Sequence, residues 1–430
     1  APPPLESPPM LKLPDALRAL RHREFGLFAS GQVISLIGTW MQMVAQSWLI
    51  YRLTGSSTAL GLATFFGQLP ILIFAPLGGL ITDRITTRRL LLYTQVSAML
   101  LALVLSILTL GHWVRLWHVV TAAFLLGLVN AFDNPGRQVF VAEAVPKEDL
   151  MNAIALNSSM VTGARFLGPA VAGLFVALWG EGWCFLLNAL SYLAVIAALL
   201  KMKSQRKAKH LEHRGSPLDQ LKGGFAFAGS SLPIRRLLIL LGLLSLLGTS
   251  YSVLMPIFAD HILHGGARAL GILGSASGFG ALAGALTMAL RKRARGLASW
   301  IAGASLLFGI SLLAFSMSRD LLLSALLLIP VGYTFMIEMA ATNTLLQMML
   351  PDAFRGRVMS IYTVMFLGMV PIGGLLVGGL GRFMSAPATV AVTGCGCIVA
   401  GAIFALGLPE WRRVAHQLMA TKDDPVSKQR

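Results

Sequence analysis

Gly79-Leu-Ile-Thr-Asp83-Arg84-Ile-Thr-Thr-Arg88-Arg89 separates two apolar runs, 58–81 and 89–111, each long enough to cross a bilayer. The connection is too short to form a domain. With one acid among three arginines, it is also too charged to lie in lipid. It reads as a tight polar turn at a membrane face. An ordinary basic loop would look the same in isolation, so the rest of the chain decides what the turn belongs to.

Hydrophobic residues make up 56% of the chain and charged residues 12%, with a mean hydropathy of +0.73. A soluble domain carries about 25% charge, so the apolar excess belongs to a membrane protein. Each spanning helix needs about 20 apolar residues, and twelve spans are expected. The first six are 25–51, 58–81, 89–111, 116–142, 152–178 and 182–202. The others are 234–258, 268–290, 296–317, 320–349, 355–380 and 386–408. The domain reading is a tail at 1–24, a bundle at 25–202, a linker at 203–233, a bundle at 234–408 and a tail at 409–430. The Pro-rich start has no basic segment followed by an apolar core, so it reads as a disordered tail and not a signal peptide.

The net charge of +17 would suit nucleic acid if the basic residues formed a patch. Placing the N-terminus in the cytoplasm puts 29 of the 35 Lys and Arg on that side, in the tails, the linker and the turns near 84, 147, 293 and 355. Arg52, Arg115, Arg268, Arg319 and Arg382 fall outside, and Arg165 lies within a span. This bias sets both termini inside and makes anionic lipid, not nucleic acid, the partner of the charge. Leu13–Leu20 and a segment starting at Ser216-Pro217-Leu218-Asp219 are expected as short amphipathic helices on the inner surface.

Cys184, Cys395 and Cys397 lie in apolar runs, and the last two point to opposite helix faces, so neither a disulfide framework nor a metal pair is expected. No His is placed in a span at metal-ligand spacing. No Gly-x4-Gly-Lys-Ser/Thr loop offers a phosphate cradle, and no loop is long enough for an active site. The expectation is no cofactor, no metal and no enzyme.

The two halves echo each other. Gly38-Thr39 recurs as Gly248-Thr249 and Leu60-Gly61 as Leu270-Gly271, both at a spacing of 210. From the second helix onward the spacing is 205. Gly79 then matches Gly284, Pro146 matches Pro351, and Gly163, Gly168 and Gly173 match Gly368, Gly373 and Gly378. Single matches in Gly-rich membrane protein are common; several in register are not.

The turn's Gly-x3-Asp-Arg-x4-Arg-Arg spacing resembles the loop signature of the major facilitator superfamily, with Thr86 where Gly is usual. Phe132-Asp-Asn-Pro-Gly-Arg-Gln138 with Val145–Asn157, and Asn343–Gln347 with Pro351–Ser360, resemble its drug and siderophore exporter branch. Gly163-Ala-Arg-Phe-Leu-Gly168-Pro169-Ala-Val-Ala-Gly173 is similar to the fifth-helix motif of the antiporters, with one final Gly where a pair is usual. Ordinary helix packing explains that motif about as well. The resemblance implies an all-α membrane fold of two pseudo-symmetric six-helix bundles, with a substrate site between them near the midplane. It also implies that Asp83 meets the start of the eleventh helix near Arg355. Arg84, Arg88, Arg89 and Arg137 would complete a cytoplasmic latch there.

Ionisable groups inside spans are costly and face a partner or a cavity. Asp133 and Glu338 differ by 205, which places a carboxylate at one depth on two equivalent helices. Arg165, mid-span, needs an acid or water, and Asp133, one short connection away, is the first choice of partner. If they pair, Glu338 lacks a basic neighbour and becomes the expected proton carrier. The alternative is that each acid ends a helix and faces water, the fourth helix bending or breaking at Pro135. Thr39, Gln42, Met43 and Gln46, with Tyr251, Ser252, Met255 and Tyr333, are candidates to line the cavity, and helix packing is their equal alternative. The expected function is a monomeric proton-coupled antiporter in the bacterial inner membrane that exports amphipathic small molecules. Import or facilitation of a metabolite or lysolipid is the second reading, and a receptor or enzyme the third.

Overall fold

Long apolar runs in lipid must satisfy their backbone internally, and the α-helix does so within one segment. The computed structural model describes residues 15–82, 85–202, 225–291 and 296–423, without the side chains of 15–16, 75–82, 352–353 and 416–423. Among these, twelve helices are long and apolar enough to cross a membrane. They are α1 (Arg23–Thr54), α2 (Ser57–Thr82), α3 (Thr87–Leu110), α4 (Leu116–Glu143), α5 (Leu150–Trp179) and α6 (Glu181–Lys201). The second set is α7 (Leu232–Ile262), α8 (Gly266–Leu290), α9 (Leu297–Met317), α10 (Leu321–Met349), α11 (Phe354–Leu380) and α12 (Ala386–Leu406).

Within the first set α1 packs on α5 and α6, α2 on α4, and α3 on α4 and α6. In the second, α8 packs on α10, and α9 on α10 and α12. Glycines fix how closely these helices approach. A β-carbon at Gly127 would overlap the Gly67 carbonyl oxygen, and one at Gly332 would overlap that of Ser277. Gly332 lies 205 residues after Gly127, and Ser277 lies 210 after Gly67, so α4 rests on α2 as α10 rests on α8.

The bundles meet along α2–α11 and α5–α8. A β-carbon at Gly378 would lie 2.9 Å from the Gly61 Cα, and one at Gly271 would lie 2.6 Å from the Gly173 Cα. Gly61 repeats as Gly271 and Gly173 as Gly378, so the two seams are copies of one contact. Both sit toward the end opposite the termini. At that far end the Ser57 Oγ and Thr58 Oγ1 donate to the Gly378 carbonyl at 3.0 and 3.2 Å. The Tyr51 Oη donates to the Asp260 Oδ2 at 2.7 Å. Trp113, Trp117, Trp179 and Trp183 are exposed there, as suits rings at a lipid–water boundary.

At the other end each tail is tied to its own bundle. A 3₁₀ turn, Asp15–Arg21, is where the first amphipathic helix was expected, and Arg18 and His22 both reach Asp149. The C-terminal segment, expected as a tail, begins as a thirteenth helix, α13 (Leu408–Asp423). Its Trp411 is buried and donates to the Pro233 carbonyl at 3.1 Å, and Glu410 pairs with Arg236. The expected helix start at Ser216 lies outside the described residues.

One expectation needs correction. The fourth helix neither ends nor breaks at Pro135: α4 is continuous through it. The seventh and eleventh helices are not uniform, because Leu244–Gly248, Phe258–Ile262 and Val364–Gly368 are π turns. The first of them ends at Gly248, where a β-carbon would overlap the Phe308 ring.

Gly127→Ala and Gly332→Ala should each destabilise the protein by about 1–3 kcal/mol, the usual cost of overpacking. A β-carbon at Gly163 meets nothing within 4 Å, so Gly163→Ala should be neutral or stabilising. Thermal unfolding in detergent reads the difference.

Candidate functional site

Both buried carboxylates lie mid-helix inside the protein, Asp133 2% and Glu338 1% exposed. Neither ends its helix or faces water. Their surroundings differ. Asp133 forms an ion pair with Arg137, one turn on along α4. From α3, the Thr94 Oγ1 and Gln95 Nε2 donate to its Oδ1 at 2.7 and 2.9 Å. Glu338 accepts from the Thr342 Oγ1 at 3.3 Å, and its Oε2 is buried without a partner. Thr342 stands 205 residues after Arg137, so the repeat keeps the acid and replaces its cation with a hydroxyl.

The expected Asp133–Arg165 pair is therefore replaced by Asp133–Arg137. An acid and a base four apart on one helix meet without any tertiary arrangement, and that spacing was the sequence signal for the correct partner. Arg165 instead places its guanidinium carbon 5.5 Å from the centre of the Trp40 ring on α1. Pro169, one turn later, has no N–H, so the Arg165 carbonyl has no helix donor. That carbonyl is pressed against α8, 2.6 Å from where a β-carbon at Gly278 would stand.

The antiporter-like motif is divided between two contacts. Gly168 lets α5 approach α1, where a β-carbon would overlap that of Trp40. Pro169 and Gly173 face α8 across the seam: a β-carbon at Gly274 would lie 2.8 Å from the Pro169 Cβ, and one at Gly173 2.8 Å from the Gly271 Cα. Gly163 makes no close approach.

The candidate lining residues separate in the same way. The Thr39 Oγ1 donates to the Ser35 carbonyl at 2.9 Å and lies 3.4 Å from the Tyr192 Oη, while Gln42 accepts from the Asn188 Nδ2 at 2.7 Å. Both of these join α1 to α6. Met43 is exposed and Gln46 half-buried. Tyr251 is buried with its Oη 2.9 Å from the Ser277 Oγ on α8. Ser252 is exposed, Met255 is buried in the second bundle's core, and Tyr333 is half-buried against Gly280 and Gly284.

Asp83 and Arg84, the centre of the turn that follows Gly79, lie outside the described residues. Arg88 donates to the Leu199 and Leu200 carbonyls at 2.6 and 3.0 Å, capping the end of α6 as a cation does. Arg89 is exposed. Arg88 and Arg137 thus hold partners within the first bundle. Sequence reasoning missed three things here: the Tyr51–Asp260 bond, whose partners are 209 residues apart; the Trp40 platform; and Ser158 and Thr162, which stand below Arg165 on one face of α5.

A transmembrane secretion effector family model matches residues 15–428. The chain belongs to this family, within the major facilitator superfamily. It is 25% identical over 350 residues to the staphyloferrin A transporter of Staphylococcus aureus, covering 81% of this chain and 87% of that one. It is 27% identical over 401 residues to the enterobactin exporter of Citrobacter koseri, covering 91% and 93%. Among solved structures, a POT family transporter in complex with 5-aminolevulinic acid superposes with a TM-score of 0.74 at 15% identity, over 90% of this chain and 96% of that one. The nucleoside transporter NupG does so with 0.70 at 12%, over 90% and 99%. At such identities the structures speak for the fold alone. The protein is a multi-pass membrane transporter and not an enzyme.

In this transporter, removing one member of a buried ion pair strands the other. Asp133→Ala or Arg137→Ala alone should cost about 3–5 kcal/mol, and the double variant clearly less than the sum. Thermal unfolding of the three proteins in detergent measures the coupling.

Proposed function

We propose that this transporter is a secondary exporter that moves amphipathic small molecules out of a bacterial cell in exchange for protons, by alternating access, as a monomer. The observation that carries the reading is the pair of repeat-related glycine seams, which close the bundles on each other at the far end. With the termini in the cytoplasm, as the bias of the basic residues favours, closure of the far end supports a state that opens toward the cytoplasm. Outward direction and a siderophore-like substrate rest on the relatives named as exporters. Met43, Gln46, Tyr251, Ser252, Met255 and Tyr333 are retained as cavity candidates, while Thr39 and Gln42 act through the packing of α1 on α6.

Asp133, balanced by Arg137 and two neutral donors, serves as a fixed anchor. Glu338, with a hydroxyl as its described partner, is the proton carrier, and Arg165 faces the substrate path. In the opposite state, Asp83 would meet the start of α11 near Arg355 and latch the cytoplasmic end, with Arg84, Arg88, Arg89 and Arg137 around it. Breaking that latch shifts populations toward the cytoplasm-open state. Asp83→Asn should therefore slow turnover severalfold while leaving substrate affinity within about twofold; equal loss of both would count against the latch.

Reconstituted vesicles with an imposed pH gradient, screened with dyes, siderophores and lysolipids, test the function. Glu338→Gln should lose gradient-driven flux by at least tenfold yet keep gradient-independent counterflow. Unchanged pH-driven flux in that variant would remove Glu338 from the mechanism.

A further inference from the structure

Arg165 stands mid-way along α5, far from both helix ends, and no described residue gives it a carboxylate or a hydrogen bond. Three acids deep in the helices have other partners, Asp133 with Arg137, Glu181 with Arg52 and Asp260 with Tyr51, and the described hydrogen bond of Glu338 is to Thr342 and not to Arg165. What Arg165 does have is an aromatic face, Trp40, on α1. One turn along the same face of that helix, Met43 is 48% exposed. On the second bundle, Tyr251 is buried and held by its bond to Ser277, the residue next to Gly278 on α8. The Arg165 backbone is itself lodged against Gly278 of α8. A cation is thus held at the junction of the two bundles, beside a flat ring and a soft apolar side chain, with no described acid compensating its charge.

A guanidinium presents a planar fork of N–H donors that matches two oxygens of one anion. It is always charged, and with no described acid beside it a bound anion would supply its counter-ion at this depth. We propose that Arg165 binds the anionic group of the transported molecule, a planar oxyanion of which carboxylate is the simplest example. The Trp40 ring and Met43 take the apolar or aromatic body attached to it. This deepens the exporter reading and rests on it for the substrate's passage, though not for its binding. Because the elements around the anion come from both bundles, an occupied site also neutralises a charge that both halves must carry as they move.

The purified full-length transporter in detergent should be titrated with 2-naphthoate and with its neutral counterpart 2-naphthamide. Wild type should bind the carboxylate at least tenfold more tightly than the amide. Arg165→Gln should remove that preference, and Arg165→Lys, which keeps the charge but loses the fork, should retain part of it. Trp40→Leu should weaken both ligands while keeping their ratio. Equal binding of naphthoate and naphthamide by wild type, or an undiminished preference in Arg165→Gln, overturns the proposal. If Arg165→Gln does not fold, the wild-type ratio and Trp40→Leu still decide it. No gradient is used, so failure of proton-driven flux with an intact, Arg165-dependent preference would reject the antiport reading and leave this site standing.

Discussion

Two pairs of glycines set the terms on which this molecule holds together. Gly61 against Gly378, and Gly173 against Gly271, bring backbones of opposite bundles within the reach of a single missing side chain. Between apolar helices in lipid there is no hydrophobic gain from association, so close backbone approach supplies much of the attraction. Few large side chains interlock at these two points, although Phe166 and Phe279 meet farther along the α5–α8 seam with ring centres 5.8 Å apart. The contact is joined at the far end by a few hydrogen bonds, Ser57 and Thr58 to Gly378 and Tyr51 to Asp260. Such an interface holds one end shut without fusing the bundles.

The same repeat that copies the seam distributes charge unevenly. In the first bundle a carboxylate is met by Arg137, Thr94 and Gln95, so its charge is balanced where it sits. At the matching depth in the second bundle the acid remains, but the cation has become Thr342 and the positions matching Thr94 and Gln95 are Ser299 and Trp300. A structural ion pair and a carboxylate without a cation thus occupy equivalent places. At the junction between them Arg165 is a cation without an acid. Fold and charge follow different symmetries, and the mechanism proposed lies in that difference.

The spans, their number and the repeat were legible because lipid forces long apolar helices and because glycines in register leave a mark in the chain. The two seams were present in the sequence as the Gly61–Gly271 and Gly173–Gly378 matches, although nothing local said that the members of different matches touch. The partner of Asp133 was legible too, in its spacing to Arg137, but Arg165 drew the assignment because a mid-span cation demands an acid. It has a tryptophan instead, and a ring on another helix leaves no trace in the spacing. The π turns in α7 and α11 were not legible, because an apolar run fits a regular helix and a π turn equally well. Thr39 and Gln42 had the periodicity of a lining face but serve helix packing, a distinction that only their partners on α6 make.

The central claim is that the bundles rock about these seams so that the two ends open in turn. Spin labels placed in a background lacking Cys184, Cys395 and Cys397 measure this directly, one pair at Thr54 and Phe383 across the far end and another at Met151 and Leu290 across the end bearing the termini. As pH or ligand is varied, the account requires the first distance to lengthen when the second shortens. Two distances that change together, or a far end that never opens under any condition, would contradict it.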